Sequence, residues 1–136
     1  MVKVTSEVLA AEPLIKRVSS AASGAVAVFV GVAREFSEGR RVVFLQYEAY
    51  REMAERKMEE IVAEIKQKWT VNDVAMVHRV GVLQIGESSI VIAVSAAHRR
   101  DALAACQYAI ERVKEIVPIW KKEVFEDGSR WVGWTG

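Results

Sequence analysis

From residue 25 to residue 32, valines take every second position, 26, 28, 30 and 32, while Ala25, Ala27, Phe29 and Gly31 take the other face. A period of two predicts a strand, in which Gly31 leaves space beside Phe29. The polar stretch Arg34 to Arg41 reads as a loop and Val42 to Glu48 as the next strand, and these two strands are candidates for an antiparallel pair. Met58, Ile61, Val62, Ile65 and Trp69 recur at helical spacing, which predicts an amphipathic helix from about Tyr50 to Lys68. Val74 to Leu83 and Ser89 to Ser95 read as two strands around a turn at Gly86, the second apolar enough to be central. Leu103, Cys106, Ala109, Ile110, Val113, Ile116 and Val117 form one arc of a helix over Asp101 to Val117, which Pro118 ends.

Val2 to Ser6 adds a short strand, and Pro13 suits the first turn of a helix over Leu14 to Ser20. Ile119 to Phe125, an Asp127-Gly128 turn and Arg130 to Trp134 read as a closing hairpin. The order β-α-β-β-α-β-β-α-β-β predicts an α+β sandwich, formed as one domain over residues 1–136.

Composition narrows the chemistry. Nineteen basic residues against eighteen acidic ones give a net charge of +1, so nothing draws the chain as a whole to nucleic acid or an anionic membrane. No apolar run approaches the ~20 residues that span a bilayer, and Met1 to Ala10 lacks a signal-peptide pattern, which predicts a cytoplasmic protein. Cys106 is the single cysteine and falls among apolar helix positions, so it reads as a buried small hydrophobe rather than a nucleophile. With only His78 and His98 besides, neither a metal centre nor a bound cofactor is predicted.

Candidate chemistry concentrates in three basic places. Ser95-Ala96-Ala97-His98-Arg99-Arg100-Asp101 joins a strand end to a helix start, where free N–H groups and the helix dipole favour an anion. The competing reading is a solvated turn with Asp101 as the helix's acidic complement. Arg34 follows directly on a strand end and, with the His98-Arg99 turn, would make a phosphate clamp. Lys114 sits at the rim of the apolar arc, where partial burial would lower its pKa and suit it to proton transfer. A lysine that complements the helix C-terminus and pairs with Glu111 is the competing reading. On the strand after Pro118, Ile119, Lys121, Glu123 and Phe125 share one face, and the chain reversal can bring Lys121 to Lys114. An edge strand guarded by lysines competes there.

These stretches also carry a resemblance. Gly24-Ala25-Val26 through Phe29-Val30-Gly31 to Arg34, Leu45-Gln46-Tyr47-Glu48-Ala49-Tyr50, His78-Arg79-Val80-Gly81 and Ser95 to Arg99 contribute to it. So do Ala109 to Lys114, Val117-Pro118-Ile119-Trp120-Lys121-Lys122-Glu123 and Asp127-Gly128 to Trp131-Val132. Over essentially its whole length the chain resembles the large-subunit family of molybdopterin synthase. The resemblance implies an α/β-hammerhead-type fold and a homodimer within a heterotetramer. It also implies a small ubiquitin-like sulfur-carrier subunit whose Gly-Gly C-terminus bears a thiocarboxylate, and a cyclic pterin phosphate as substrate. Lys114 and Lys121 then fall on catalytic positions, and Arg34, His98 and Arg99, with Lys122 and Glu123 of the same closing motif, on substrate-binding ones. Val32 and Ala33 stand where many relatives carry a lysine. A metabolite sensor and a purely structural partner of a ubiquitin-like protein are the competing functions.

Overall fold

The structure, a computed structural model, describes residues 1–132. Trp134, the expected end of the last strand, lies outside the described residues. The elements run β1 (Val2–Thr5), α1 (Glu12–Val18), β2 (Ala25–Val32), β3 (Phe36–Ser37), β4 (Arg40–Ala49), α2 (Arg51–Lys68), β5 (Asp73–Arg79), β6 (Gly81–Gln84), β7 (Ser88–Ala96), α3 (Arg99–Ile116), β8 (Ile119–Phe125) and β9 (Gly128–Val132). The fold is α+β, with three helices and two sheets among the described residues.

The first sheet has the order β1-β5-β7-β2, with β7 antiparallel to both of its neighbours. Every position of β7 from Ser89 to Ala96 is buried, because α2 and α3 cover one face of the sheet and α1 the other. That double cover accounts for a continuous apolar run in place of alternation. The second sheet runs β3-β4-β8-β9, with β6 also paired to β4.

The strands depart from expectation in three places. The segments expected to pair, β2 and β4, lie in different sheets: β2 takes β7 as its partner, while β4 is enclosed by β8 and β6. The loop expected at Arg34 to Arg41 contains the short strand β3, which turns the chain into the second sheet before β4 begins. Likewise, the single strand expected over Val74 to Leu83 is divided. Gly81 has φ +98°, a left-handed conformation that glycine adopts without a Cβ clash, and there the chain passes from β5 in the first sheet to β6 in the second.

Helix α3 buries Cys106, Ala109, Val113 and Val117 of its expected arc and packs Ile110 and Ile116 against the core, and the departure is at Leu103. Leu103 is exposed, and Ala102, Ala105, Cys106, Ala109 and Val113 face the core. Small side chains at 102, 105 and 109 let α3 lie close on β2 and β7, so proximity to the sheet rather than side-chain size sets the buried stripe. The helix is tied to α2 by Arg112, whose Nε and Nη2 reach the two carboxylate oxygens of Glu64 at 3.0 and 3.1 Å.

Candidate active site

A cavity of about 370 Å³ opens where the C-terminal half of α3 crosses the junction of the two sheets. This is the size range of small-molecule sites. Three cationic side chains line it from three elements: Arg34 just past the end of β2, Lys114 from the last turn of α3, and Lys121 from β8. The chain reversal at Val117-Pro118 brings the two lysines to one cavity, as their spacing suggests.

The lysines differ in their surroundings. Lys114 is exposed and forms no ion pair among the described residues, so the expected partial burial and the Glu111 pairing are both absent. Lys121 is the half-buried one. Loss of water holds its pKa below the ordinary lysine value, against the upward pull of Glu123, and the positive charges of Lys114, Arg34 and Arg130 lower it further.

Beneath the cations lies a neutral floor of Tyr47, His78 and Ser89, all buried. Tyr47 stands opposite Lys121 in the β4–β8 ladder and meets the His78 ring edge-on, with centroids 5.2 Å apart. Burial raises the Tyr47 pKa, an effect that Ser89 moderates from beside the phenol and Glu123 strengthens. His78 Nδ1 donates to the Arg79 carbonyl at 2.8 Å. Burial drives the His78 pKa down to about 4, so the imidazole is neutral near pH 7.

Glu123 lines the cavity but is committed elsewhere. Its carboxylate is buried and held by Arg130 at 2.8 Å, an arrangement that leaves it to fix the local charge rather than to grip an anion. Lys122 points to the other face of β8, with its ammonium 5.6 Å from the Trp131 ring centroid, and does not line the cavity.

His98 and Arg99 sit apart from these residues. His98 is the N-cap of α3 and both side chains are exposed, with no ion pair among the described residues. Lys114 lies fifteen residues further along the helix, about 22 Å at 1.5 Å per residue. In the β2–β7 ladder Ala25 faces Ala96 and Val32 faces Ser88, so the His98 turn and Arg34 lie at opposite ends of β2, about 25 Å apart. The clamp expected from Arg34 with His98 and Arg99 is therefore not formed within one chain.

Known proteins share this architecture. The family model described as "MoaE protein" matches residues 4–116. The chain belongs to the MoaE protein family. It is 49% identical over 131 residues to the molybdopterin synthase catalytic subunit of Bacillus subtilis, covering 96% of this chain and 83% of that protein. It is 54% identical over 110 residues to the Staphylococcus aureus protein of the same name, covering 81% of this chain and 74% of that one. Among solved structures, molybdopterin synthase from Staphylococcus aureus superposes with a TM-score of 0.93 at 47% identity, over 96% of each chain. The MoaE protein of Burkholderia ambifaria gives 0.85 at 33% identity, over 99% of this chain and 90% of that one.

In this MoaE-family chain, sequence reasoning passed over the floor of the cavity. Tyr47 and His78 lie inside two of the segments that carry the resemblance, but a lone histidine on an apolar strand reads as core, and no spacing rule links residues 47, 78 and 89. The usable signal was alternation in β4, which puts Leu45 and Tyr47 on the face that also receives Lys121. Cys106 is buried, and desolvation pushes its thiol pKa up to about 11, which leaves it unreactive. No described helix is long and apolar enough to cross a membrane.

Proposed function

We propose that this chain is the catalytic subunit of a molybdopterin synthase, acting in molybdenum cofactor biosynthesis. It converts a cyclic pterin phosphate to dithiolene-bearing molybdopterin, with sulfur from the thiocarboxylated Gly-Gly C-terminus of a small ubiquitin-like subunit. The observation that carries this reading is the convergence of Arg34, Lys114 and Lys121 on one cavity in a chain of this family. A thiocarboxylate brings its own nucleophilic sulfur, so the enzyme has to supply positive charge and proton transfer rather than a cysteine. Lys121, partly removed from water, is suited to moving a proton. Lys114, exposed at the rim, stabilises the carboxylate and oxyanion charges of the acyl transfer. We place this reaction in the cytoplasm.

His98 and Arg99 enter the same scheme from a second copy. Val28, Val30 and Val32 leave an apolar ribbon exposed along β2, the edge strand of its sheet, a surface suited to a twofold partner. Antiparallel apposition of two such edges carries the Ala25 end of one copy to the Val32 end of the other, and so its His98-Arg99 turn toward Arg34.

The test has two parts. Purified chain, thiocarboxylated small subunit and cyclic pterin phosphate should together yield dithiolene product, and a folded protein that gives none refutes the assignment. Mixed dimers of Lys121→Ala and Arg99→Ala chains should regain activity that neither variant has alone, because one of the two cavities is then whole. A mixture as inactive as its parents places Arg99 with the cavity of its own chain, and an Arg99→Ala parent of full activity places it outside the reaction.

A further inference from the structure

The cationic rim accounts for the anionic part of a substrate but leaves unexplained why the floor beneath it is polar and neutral. A cavity floor that served only as packing would be built of the aliphatic residues found around it, Leu45, Ile90, Val113 and Ile119. Instead, three polar side chains from three strands meet there: Tyr47 from β4, His78 from β5 and Ser89 from β7.

The arrangement of His78 fixes what it offers. A carbonyl oxygen only accepts, so the contact to Arg79 places the ring hydrogen on Nδ1 and leaves Nε2 as a bare acceptor. Among the described residues the imidazole's hydrogen bond runs through Nδ1 alone, and His78 lines the cavity, so Nε2 is the nitrogen available to a ligand. Tyr47 and Ser89 add hydroxyls that can donate or accept. Two glycines hold this floor in place. A Cβ on Gly31 would come within 3.0 Å of Ser89 Oγ and 2.8 Å of Ile90 Cγ2, and the left-handed Gly81 turns the chain to the second sheet three residues after His78.

We propose that His78 Nε2, with the Tyr47 and Ser89 hydroxyls, forms the subsite that reads the heterocycle of the substrate, accepting from a ring N–H or amino group while Arg34 and the lysines hold the anionic end. The inference rests on the pterin reading of the cavity and adds the residue that decides which ring is accepted. A reduced pterin carries several N–H donors and a carbonyl on its edges, and a mixed acceptor and hydroxyl floor complements them. A site built to pair a donor rejects a ligand that lacks it, because its own polar groups are then left unpaired. Neutrality of the imidazole matters as well, since a fourth positive charge under three cations would remove the acceptor and repel the rim.

The experiment is calorimetric titration of the intact protein with the cyclic pterin phosphate, together with steady-state assays of the reconstituted synthase. His78→Phe keeps the ring volume against Tyr47 but has no acceptor. It should weaken pterin binding about 10- to 100-fold and raise KM in step, with kcat within about twofold of the parent. His78→Gln, which can return an oxygen acceptor toward the cavity, should recover most of that loss. Tyr47→Phe tests the same floor without disturbing the Arg79 contact and should weaken binding by about 3- to 10-fold. Parent-like affinity in Tyr47→Phe and in a folded His78→Phe protein, or equal losses for His78→Phe and His78→Gln, overturns the inference. Arg34→Ala separates this failure from that of the broader reading: if it too binds the pterin normally, the cavity is not the pterin site, whereas a loss confined to Arg34→Ala removes only the floor's role.

Discussion

The Arg130 guanidinium holds the Glu123 carboxylate from the neighbouring strand, with Nη2 2.8 Å and Nε 3.0 Å from Oε1, on a carboxylate side chain only 6% exposed. The pair lies two residues from Lys121 and fixes one negative charge beneath a cationic cavity. Arg130→Ala removes the guanidinium and leaves the buried acceptor short of a partner. It is expected to cost about 1–3 kcal/mol, read from the urea midpoint at neutral pH. An unchanged midpoint would mean that water replaces the arginine without loss.

Gly31 faces β7 without room for a side chain, since an added Cβ would lie 2.8 Å from Ile90 Cγ2 and 3.0 Å from Ser89 Oγ. Gly31→Ala therefore forces side-chain shifts at the cavity wall and should destabilise the protein by about 1–3 kcal/mol. Thermal unfolding measures it. A melting temperature equal to the parent's would show that Ile90 and Ser89 move aside freely.

Lys121 feels the positive charge of Arg34, which contributes, after desolvation, Glu123 and Lys114, to the balance that holds its pKa below the ordinary lysine value. Removing a neighbouring positive charge favours the charged lysine, so Arg34→Ala should move the Lys121 pKa upward. Titration of reductively ¹³C-methylated lysines by NMR reports the direction. A downward shift, or none, would mean that Arg34 is too well screened to act on Lys121.

His78 links stability to pH. Its folded pKa of about 4 lies below the ordinary 6.5, so between these values the unfolded chain binds a proton that the folded one refuses. Its contribution is fully present above pH 6.5 and is lost as the pH falls to about 4, a change on the order of 2–3 kcal/mol. Urea titrations across that window should show the slope in the parent and a flatter profile in His78→Gln. Parallel profiles would assign the acid sensitivity to other groups, such as Glu123, whose depressed pKa acts in the same direction at lower pH.

Lys114→Ala and Lys121→Ala should each lower the rate of sulfur transfer by about 10²- to 10⁴-fold while leaving the circular dichroism spectrum intact. Arginine should restore part of the activity at exposed Lys114, where charge is the main requirement, and little at Lys121, because guanidinium does not release a proton near neutral pH. Full rescue of Lys121 by arginine would reduce its role to electrostatics.

Much of this protein was legible along the chain because the signals are local. The period of two in Ala25 to Val32, the helical period from Met58 to Trp69, Pro118 as a stop and the basic residues at strand and helix ends depend only on near neighbours, and they located the two long helices α2 and α3 and the candidate lysines. Partnership between strands was not local. β2 and β4 follow one another with a short connection, yet they belong to separate sheets, because β2 is the antiparallel neighbour of β7 while β4 pairs with β8 and β6, strands far along the chain. The environment of each site residue was also decided by packing. At the same cavity, helix geometry left Lys114 in water while the β4–β8 ladder drew Lys121 out of it. The burial of Ala102 and Ala105 on α3 where Leu103 was expected follows from how closely a helix can approach a sheet, which no pattern of hydrophobic size encodes. The floor of Tyr47, His78 and Ser89 exists only where three strands from two sheets meet, and the roughly 25 Å between Arg34 and His98 follows from antiparallel register. The amino-acid sequence set the elements and the charges, and the tertiary structure set which charges lose their water and which residues meet, because desolvation and proximity are properties of the packed chain.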